Sequence, residues 1–238
     1  MIIKIRGRTT WWFEPHQFNA LIAPYAGRIV LDIGTGDGQF VWKSARQNPS
    51  HFYIGLDSNR SNLEKISEKI YRQESKGGAP NALFIEASLE NLPPELNGIV
   101  NEVQIQFPWG SLLQAVATGD SAALSRLIRI CAPDATLKII ISLDPARDCS
   151  EMDRLNISRF DLKYVREVLI PRYERAGFHM KEPKNLTPAE VLALNSSWAK
   201  RVHSANRHTI VLTGKAWQRV RSGKRMFILK IVVVLKSE

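Results

Sequence analysis

The glycine-rich segment from Val30 to Gly38 constrains the fold more than any other feature of the chain. It reads Val-Leu-Asp-Ile-Gly-Thr-Gly-Asp-Gly, so an apolar run passes directly into glycines at positions 34, 36 and 38. Such a run, followed by a glycine turn and a helix-like segment, is typical of a buried strand in a parallel sheet. Glycine permits a sharp turn and lets a ligand lie against the backbone. We therefore predict a ligand site at the carboxyl end of this strand.

Apolar runs alternate with helix-like segments along the rest of the chain, which predicts an α/β fold: a Rossmann-like, mainly parallel sheet with helices on both faces. Seven strands are predicted at residues 28–33, 52–56, 82–86, 103–107, 137–143, 178–182 and 209–213. The predicted helices cover residues 15–25, 37–47, 59–72, 121–131 and 161–176, and a polar linker is predicted at 144–158.

The two ends of the chain are expected to extend this core. Residues 2–5 and 9–13 are predicted to form an N-terminal hairpin, and a last strand is predicted at 226–235, with no evident place in a seven-stranded sheet. We expect a single domain over residues 1–238. Its hairpin and first helix would occupy 1–27, the core 28–214 and a basic C-terminal extension 215–238.

Basic residues are concentrated towards the carboxyl end of the sequence. The formal net charge is +10, and between residues 191 and 237 there are ten Lys or Arg residues and no Asp or Glu. The remaining residues balance, with 23 basic against 23 acidic side chains. A merely solubilising surface usually mixes both signs, so this segregated excess favours a polyanionic partner such as nucleic acid.

Cysteine content and hydropathy bound the cellular setting. Cys131 and Cys149 form no CxxC pair and stand beside no histidine cluster, so neither a disulfide framework nor a metal site is expected. The first residues lack the continuous apolar stretch of a signal peptide, and the apolar run 231–235 is far too short to span a bilayer. We expect a reduced cytoplasmic protein with no membrane partner.

The residues around the glycine turn favour a nucleoside-bearing cofactor. Dinucleotide-binding proteins need G-x-G-x-x-G, and here the third glycine falls one place early, which disfavours a nicotinamide oxidoreductase. Asp57 ends the second predicted strand, and a carboxylate there can accept ribose hydroxyls, although it can also cap a helix. Backbone groups of Ala87, Ser88 and Leu89, after the third strand, would read an adenine edge.

Two tryptophans suggest where the chemistry takes place. The fourth strand ends Phe107-Pro108-Trp109-Gly110, which sets a large aromatic ring at the mouth of the predicted cleft. Trp198 lies in the long linker before the last core strand, where the basic run begins. Facing tryptophans can hold a base flipped out of its stack, with Lys200 and Arg201 gripping phosphates. Alternatively, Trp198 anchors an amphipathic linker helix.

These motifs carry a family resemblance. The glycine loop with an acidic residue at 32 resembles motif I of class I S-adenosylmethionine (SAM)-dependent methyltransferases. The Phe-Pro-Trp-Gly segment resembles the (N/D/S)-P-P-(Y/W/F) box of enzymes that methylate amino-bearing bases. Together the matches resemble the Kam/Npm family of aminoglycoside-resistance enzymes, which methylate N1 of adenine 1408 in 16S rRNA. The matching segments, in chain order, are 32–38, 52–57, 75–78, 107–113 and 195–201.

The resemblance implies a role for each matching residue. SAM would be bound by Asp32, Gly34, Gly36, Gly38, Asp57, Ala87, Ser88, Leu89, Ser111 and Ser196, of which Ser196 would position either the cofactor or Trp198. The adenine would be held by Phe107, Pro108, Trp109 and Trp198. Ribosomal RNA would be contacted by Lys69, Arg72, Lys76, Lys200, Arg201 and Arg207. The implied partner is 16S rRNA within the 30S subunit, and the chain would act as a monomer.

Some features depart from the family pattern. The stretch after Arg201 is one residue shorter, so the position of Arg207 is uncertain by one, and His208 stands where a second basic residue is expected. Glu151 is the candidate for the acid that places the base in relatives. Two alternatives stay open: a tRNA (guanine-N7) methyltransferase, whose box resembles D-P-W-P-K-K, and a non-catalytic RNA-binding protein. Phe107 and the missing lysines after Trp109 weigh against the first, and Asp57 against the second.

Overall fold

The glycine turn lies near the middle of a large twisted sheet in a computed structural model that describes residues 2–25, 27–205 and 207–217. The strands of these residues are β1 (Ile2–Arg6), β2 (Thr9–Phe13), β3 (Ile29–Ile33), β4 (Phe52–Asp57), β5 (Ala82–Glu86), β6 (Val100–Gln106), β7 (Cys131–Ile141), β8 (Phe178–Met180), β9 (Lys184–Asn185) and β10 (Ile210–Ala216). The α-helices are α1 (Pro15–Ile22), α2 (Gln39–Gln47), α3 (Arg60–Ile70), α4 (Gly110–Thr118), α5 (Ser121–Ile130), α6 (Cys149–Arg154), α7 (Leu162–Tyr164), α8 (Ile170–Ala176), α9 (Pro188–Leu192) and α10 (Ser197–Ser204).

The strand order confirms the predicted fold class. The sheet runs β2-β1-β5-β4-β3-β6-β7-β10-β8, and β9 pairs with β10. Strands β5, β4, β3, β6 and β7 are parallel, whereas β10 is antiparallel to both β7 and β8. Without the hairpin strands and the short β9, seven strands remain, as predicted. The order reverses at β3, and ligands of open α/β sheets bind at such a switch point.

Burial explains why these segments form strands. Every residue of β4 is buried, as expected for a central parallel strand covered on both faces. One apolar cluster packs α4 and α5 against the sheet. A second cluster packs α2 and α3, including Val41 and Leu63, against Phe84 on the other face. The hairpin extends the sheet because β1 pairs antiparallel with β5, Lys4 lying opposite Ile85.

Several element boundaries differ from the sequence-based prediction. Strand β7 begins at Cys131, directly after α5, six residues before the predicted start. The predicted polar linker 144–158 contains α6, and α4 was not predicted at all. The predicted helix 161–176 is interrupted by a π-helical turn, Val165–Leu169, immediately before Pro171. Proline has no amide hydrogen and its ring clashes with the preceding turn, which accounts for the interruption.

The linker between β8 and β10 is not a structureless loop. It contains β9 and the two short helices α9 and α10. The predicted last strand, 226–235, lies outside the described residues, as does most of the basic extension. Among the described residues, none of the helices has the length and apolar character needed to cross a membrane.

Candidate active site

The glycine turn is held open against the end of the neighbouring strand. The backbone N–H groups of Gly34 and Thr35 both donate to the Leu56 carbonyl, at 2.8 and 3.0 Å. Gly34, Gly36 and Gly38 all have positive φ angles, which side-chain-bearing residues rarely adopt. At Gly34 a Cβ atom would also lie 2.5 Å from a methyl group of Leu112, so a larger residue would displace that side chain in addition to straining the turn.

Asp57 connects the second strand to the glycine turn. Its Oδ2 accepts the Gly36 N–H at 2.8 Å and its Oδ1 accepts the Asn59 N–H at 2.9 Å, with the Asn62 amide 3.4 Å away. The carboxylate therefore shapes the loop and also lines the cleft beside it. A carboxylate can accept about four hydrogen bonds, so Asp57 keeps acceptor capacity for a ribose hydroxyl.

A cleft opens at the carboxyl ends of the parallel strands. It encloses about 780 Å³ when its open mouth is included. Its lining brings together most of the residues predicted from separate segments. These are Gly34, Gly36, Asp57, Ala87, Ser88, Leu89, Phe107, Pro108, Trp109, Ser111 and Trp198. The two tryptophans come from different connections, and their side chains are 59% and 51% exposed, respectively.

The Phe-Pro-Trp-Gly segment is a strained turn rather than a simple strand end. Phe107 has a φ angle of 51°, in the left-handed region that favours glycine, and Gly110 has a φ of 58°. The Phe107 N–H still donates to Ile140 at 2.8 Å, so the strain begins where the β-ladder ends. This turn leaves Pro108 buried and Trp109 exposed at the start of α4. Strain of this kind is found where structure over-determines an unfavourable conformation, often at functional sites.

Trp198 occupies the second position of α10. The Ser196 hydroxyl caps this helix by accepting the Trp198 N–H at 3.2 Å. The helix is anchored by the buried Ala199 and Val202, which pack with Val191 and with the Phe107 ring in a small apolar cluster. The alternative of an amphipathic linker helix is therefore realised, but Trp198 itself lies on the exposed side and lines the cleft.

Three of the predicted cofactor residues do not line the cleft. Ser196 is a helix cap, and Gly38 packs against Phe84 below the turn. Asp32 is buried beneath the glycine loop, and its Oδ1 has no hydrogen-bond partner among the described residues. Burial raises the pKa of the Asp32 carboxyl to about 7; Thr35 offsets part of this shift and the charge of Asp57 adds to it.

The predicted RNA-contacting residues are distributed over two surfaces. Lys200 and Arg201 are exposed on α10, and the Arg201 guanidinium lies 5.0 Å from the centre of the Trp198 ring. On the other surface, Arg72 and Lys76 are exposed after α3. Lys69 lies 3.3 Å from the centre of the Trp42 ring, and burial, with Arg46 and Arg72 nearby, lowers its pKa.

Arg207 differs from the other predicted RNA contacts. Its guanidinium is mostly buried, pairs with the Asp148 carboxylate and donates to the Ser142 carbonyl. In this arrangement Arg207 ties the start of β10 to the segment after β7 instead of projecting towards a phosphate. The sequence could not indicate this, because its partners are 59 and 65 residues away.

Arg154 and Glu90 lie beside the cleft and were not predicted from the sequence, whereas Glu151 was a candidate. Glu151 is paired with Arg154, whose guanidinium donates to it at 2.7 and 2.9 Å and also to Gln114 and the Gly110 carbonyl. The hydrogen bond from Arg154 lowers the pKa of Glu151. Glu90 also lines the cleft, and hydrogen bonds from Ser88, its own backbone and Ser111 lower its pKa. Neither Arg154 nor Glu90 belongs to a motif recognisable in the sequence.

The fold and the cleft define a class I SAM-dependent methyltransferase. SAM carries a sulfonium, the ammonium and carboxylate of its methionine moiety, a ribose diol and an adenine. The residues present fit it: the carboxylates of Asp57 and Glu90 line the cleft, a buried oxygen of Asp32 lacks a partner below the loop, and the turn at Ala87 to Leu89 offers backbone groups. Asp57 would hold the ribose and the turn the adenine, leaving the methyl group towards the tryptophans.

Comparison with known proteins identifies the family. Residues 3–216 match the family model NpmA, described as 16S rRNA (adenine(1408)-N(1))-methyltransferase. The chain is 36% identical over 217 residues to an enzyme of that name from Streptoalloteichus tenebrarius, covering 89% of this chain and 97% of the relative. It is 33% identical over 202 residues to one from Escherichia coli, covering 84% and 92%. The crystal structure of the 16S rRNA methyltransferase KamB superimposes with a TM-score of 0.84 at 35% identity, covering 91% of this chain and all of that one. The chain belongs to the 16S rRNA (adenine(1408)-N(1))-methyltransferase family.

Proposed function

We propose that the chain transfers the methyl group of SAM to N1 of adenine 1408 in 16S rRNA and thereby confers resistance to aminoglycosides. The observation that carries the proposal is the placement of Trp109 and Trp198, from separate connections, on the same cleft as Asp57 and the glycine turn. The tRNA methyltransferase and the non-catalytic RNA-binding protein are less favoured, because the family match spans residues 3–216 rather than the nucleotide-binding half alone.

Methyl transfer to adenine N1 requires no proton transfer by the protein. When bound, SAM supplies an electrophilic methyl group. Adenine N1 has an in-plane lone pair and is neutral, so its attack needs no general base. The role of the chain is orientation, which alone lowers barriers substantially. Trp109 and Trp198 would hold the flipped base between them, and their ring faces suit the positive charge that develops on the methylated base.

Supporting residues would keep this arrangement rigid. Ser196 and the apolar cluster around Phe107 hold Trp198 in place. Arg154 connects α6 to the Gly110 carbonyl next to Trp109, and Glu151 fixes Arg154 in turn. Lys200 and Arg201, exposed beside Trp198, would grip the phosphates that flank the flipped nucleotide.

The proposal also covers the form of the substrate, the cellular location and the oligomeric state. The substrate would be the 16S rRNA within an assembled 30S subunit in the cytoplasm, and the chain would act as a monomer in one domain. Exposed basic residues on α10 and after α3 support a large RNA surface rather than a short oligonucleotide.

The function is tested by expressing the chain in a susceptible bacterial host. We expect raised tolerance to kanamycin and apramycin together, and a primer-extension stop at position 1408 of 16S rRNA. A Trp109→Ala variant, expressed at the same level, serves as the impaired control and should give a weaker stop and less tolerance than the wild type. A stop at another position, or cleavage of tRNA after borohydride reduction without any stop in 16S rRNA, would refute the proposal.

A further inference from the structure

The N-terminal hairpin carries exposed aromatic side chains that the active site does not use. Trp11 and Trp12 on β2 are 41% and 63% exposed, and Tyr71, just after α3, is also exposed. Strand β2 is the outer edge of the sheet. Large apolar side chains clustered on an edge strand favour association with a partner, and proteins usually avoid them unless a partner covers them.

Basic side chains are interleaved with these rings. The Lys4 ammonium lies 5.8 Å from the centre of the Trp11 ring, 4.6 Å from that of Phe13 and 5.7 Å from that of Tyr71. The Arg6 guanidinium lies 4.8 Å from the Tyr71 ring. Burial lowers the pKa of Lys4, and the nearby Arg6 charge adds to this shift. Alternating aromatic faces and cations are the features that bind unpaired nucleotides.

Glutamates on α3 pair with the arginines on either side of the hairpin turn. Arg6 lies 3.9 Å from Glu68 and Arg8 lies 3.6 Å from Glu64. The Gly7 N–H in the turn donates to Ser67 at 3.0 Å. These contacts attach the hairpin turn to α3.

The hairpin lies near the carboxyl ends of the parallel strands, where the active site also lies. Trp11 pairs with Lys4, which in turn pairs with Ile85 near the carboxyl end of β5. The glycine turn and Trp109 follow the carboxyl ends of β3 and β6, on the same side of the sheet. Strand β2 lies five strand positions from β6, which corresponds to about 24 Å at about 4.8 Å per strand. One folded RNA can contact both places at once.

We propose that this hairpin surface, formed by Lys4, Trp11, Phe13 and Tyr71, is a second RNA-binding surface that stacks on unpaired bases of the substrate. Trp12, the next residue of β2, pairs with Ile3 on the opposite face of the hairpin and is not part of this surface. The inference rests on the proposed function for the identity of the RNA, which is the 16S rRNA of the 30S subunit. The surface supplies affinity and orientation for the subunit and takes no part in methyl transfer.

The test compares variants by equilibrium binding to purified 30S subunits and by methylation kinetics. In Trp11→Ala we expect the dissociation constant for the 30S subunit, and the KM for the subunit, to rise at least about fivefold. The kcat at saturating subunit and the SAM affinity should equal those of the wild type. Trp11→Phe should keep most of the affinity, whereas Trp11→Leu, equally apolar but unable to stack, should lose it.

Trp12→Ala is the matched control, because this tryptophan is the next residue of β2 and is exposed, but lies on the opposite face of the hairpin. Its affinity should not change. Wild-type affinity in Trp11→Ala, equal affinity of Trp11→Phe and Trp11→Leu, or a change in self-association without a change in subunit affinity would each overturn the inference. Failure of the wild type to methylate adenine 1408 would instead overturn the proposed function, since subunit binding is measured separately.

Discussion

At the scale of single residues, Trp198 is an aromatic side chain whose exposed position does little to stabilise the fold. About half of its surface is exposed, although its helix is anchored by the buried Ala199 and Val202. We expect Trp198→Ala to lower kcat/KM for 30S methylation about 5- to 150-fold, the range for losing one stacking platform. SAM affinity, measured by calorimetry, should change by less than about twofold.

Trp198→Phe is the control for this prediction, because it keeps a ring for stacking and should retain most of the activity. Trp109→Ala should behave like Trp198→Ala, since both rings line the same cleft. A Trp198→Ala enzyme that loses SAM affinity but methylates at the normal rate would contradict the assigned role.

Asp32 provides a prediction about pH. Burial raises the pKa of its carboxyl from 3.8 to about 7, so the folded apoprotein holds this proton more tightly than the unfolded chain. Its contribution to stability is therefore fully present below about pH 4 and is lost as the pH rises to about 7. Asp32→Asn should remove this pH dependence and raise the free energy of unfolding at pH 8 by up to about 4 kcal/mol.

The same substitution should have the opposite effect on cofactor binding. SAM is cationic and favours the ionised carboxylate, so wild-type SAM affinity should increase between pH 5 and 8, whereas Asp32→Asn should bind weakly throughout. Thermal unfolding and calorimetry over this range measure both quantities. The assignment fails if the unfolding curves of the two proteins depend on pH in the same way.

Residues that act through local geometry could be predicted from the sequence, and those that act through distant partners could not. The glycines and Asp57 were identifiable because a tight turn and a strand end each impose a local pattern. Glu90 and Arg154 have no such pattern, and Arg154 acquires its position from Gln114 and Gly110, at least 40 residues away. The pairing of Arg207 with Asp148 was missed for the same reason.

At the scale of elements, the linker that carries α9 and α10 is connected to the catalytic turn through Phe107. The Phe107 ring packs with Val191 and Val202, while its backbone is strained at the end of β6. Phe107 was predicted to act in catalysis, and this packing indicates that it positions Trp198. We expect Phe107→Ala to increase hydrogen exchange over residues 188–204 and to lower kcat at least about tenfold.

Phe107→Leu should restore most of the packing and of the activity, because it fills a similar volume. The thermal stability of the sheet should change little in either variant, since the cluster is separate from the main core. If hydrogen exchange in α10 were unchanged in Phe107→Ala while kcat fell, Phe107 would act directly on the base instead.

Helices and strands with a clear pattern of apolar residues could be predicted from the sequence, and those without one could not. Central strands such as β4 were located within a residue, because a short continuous apolar run between two turns is typical of a strand buried on both faces. Helix α4 was missed because it begins inside the Phe-Pro-Trp-Gly turn and its small residues show a weak polar face. The π-helical turn depends on how Pro171 is accommodated by packing, which no periodic pattern reveals.

At the scale of the whole molecule, charge determines how strongly the protein is held on RNA. With a net charge of +10, binding to 30S subunits should weaken steeply with salt, since each neutralised phosphate releases counterions. Arg72 and Lys76 are exposed and outside the cleft. Replacing either by Gln should reduce the slope of log affinity against log salt by about 0.7–0.9 and leave kcat at saturating subunit unchanged.

Trp198→Ala gives the complementary result, because stacking releases no counterions: affinity should fall at every salt concentration while the slope is preserved. Binding measured between about 50 and 300 mM KCl separates the two behaviours. An unchanged slope in Arg72→Gln and Lys76→Gln would mean that the surface after α3 does not touch the RNA. The subunit would then be held by α10 and the cleft. The hairpin surface would have no basic RNA contact beside it, because Arg72, which follows Tyr71, would not bind a phosphate.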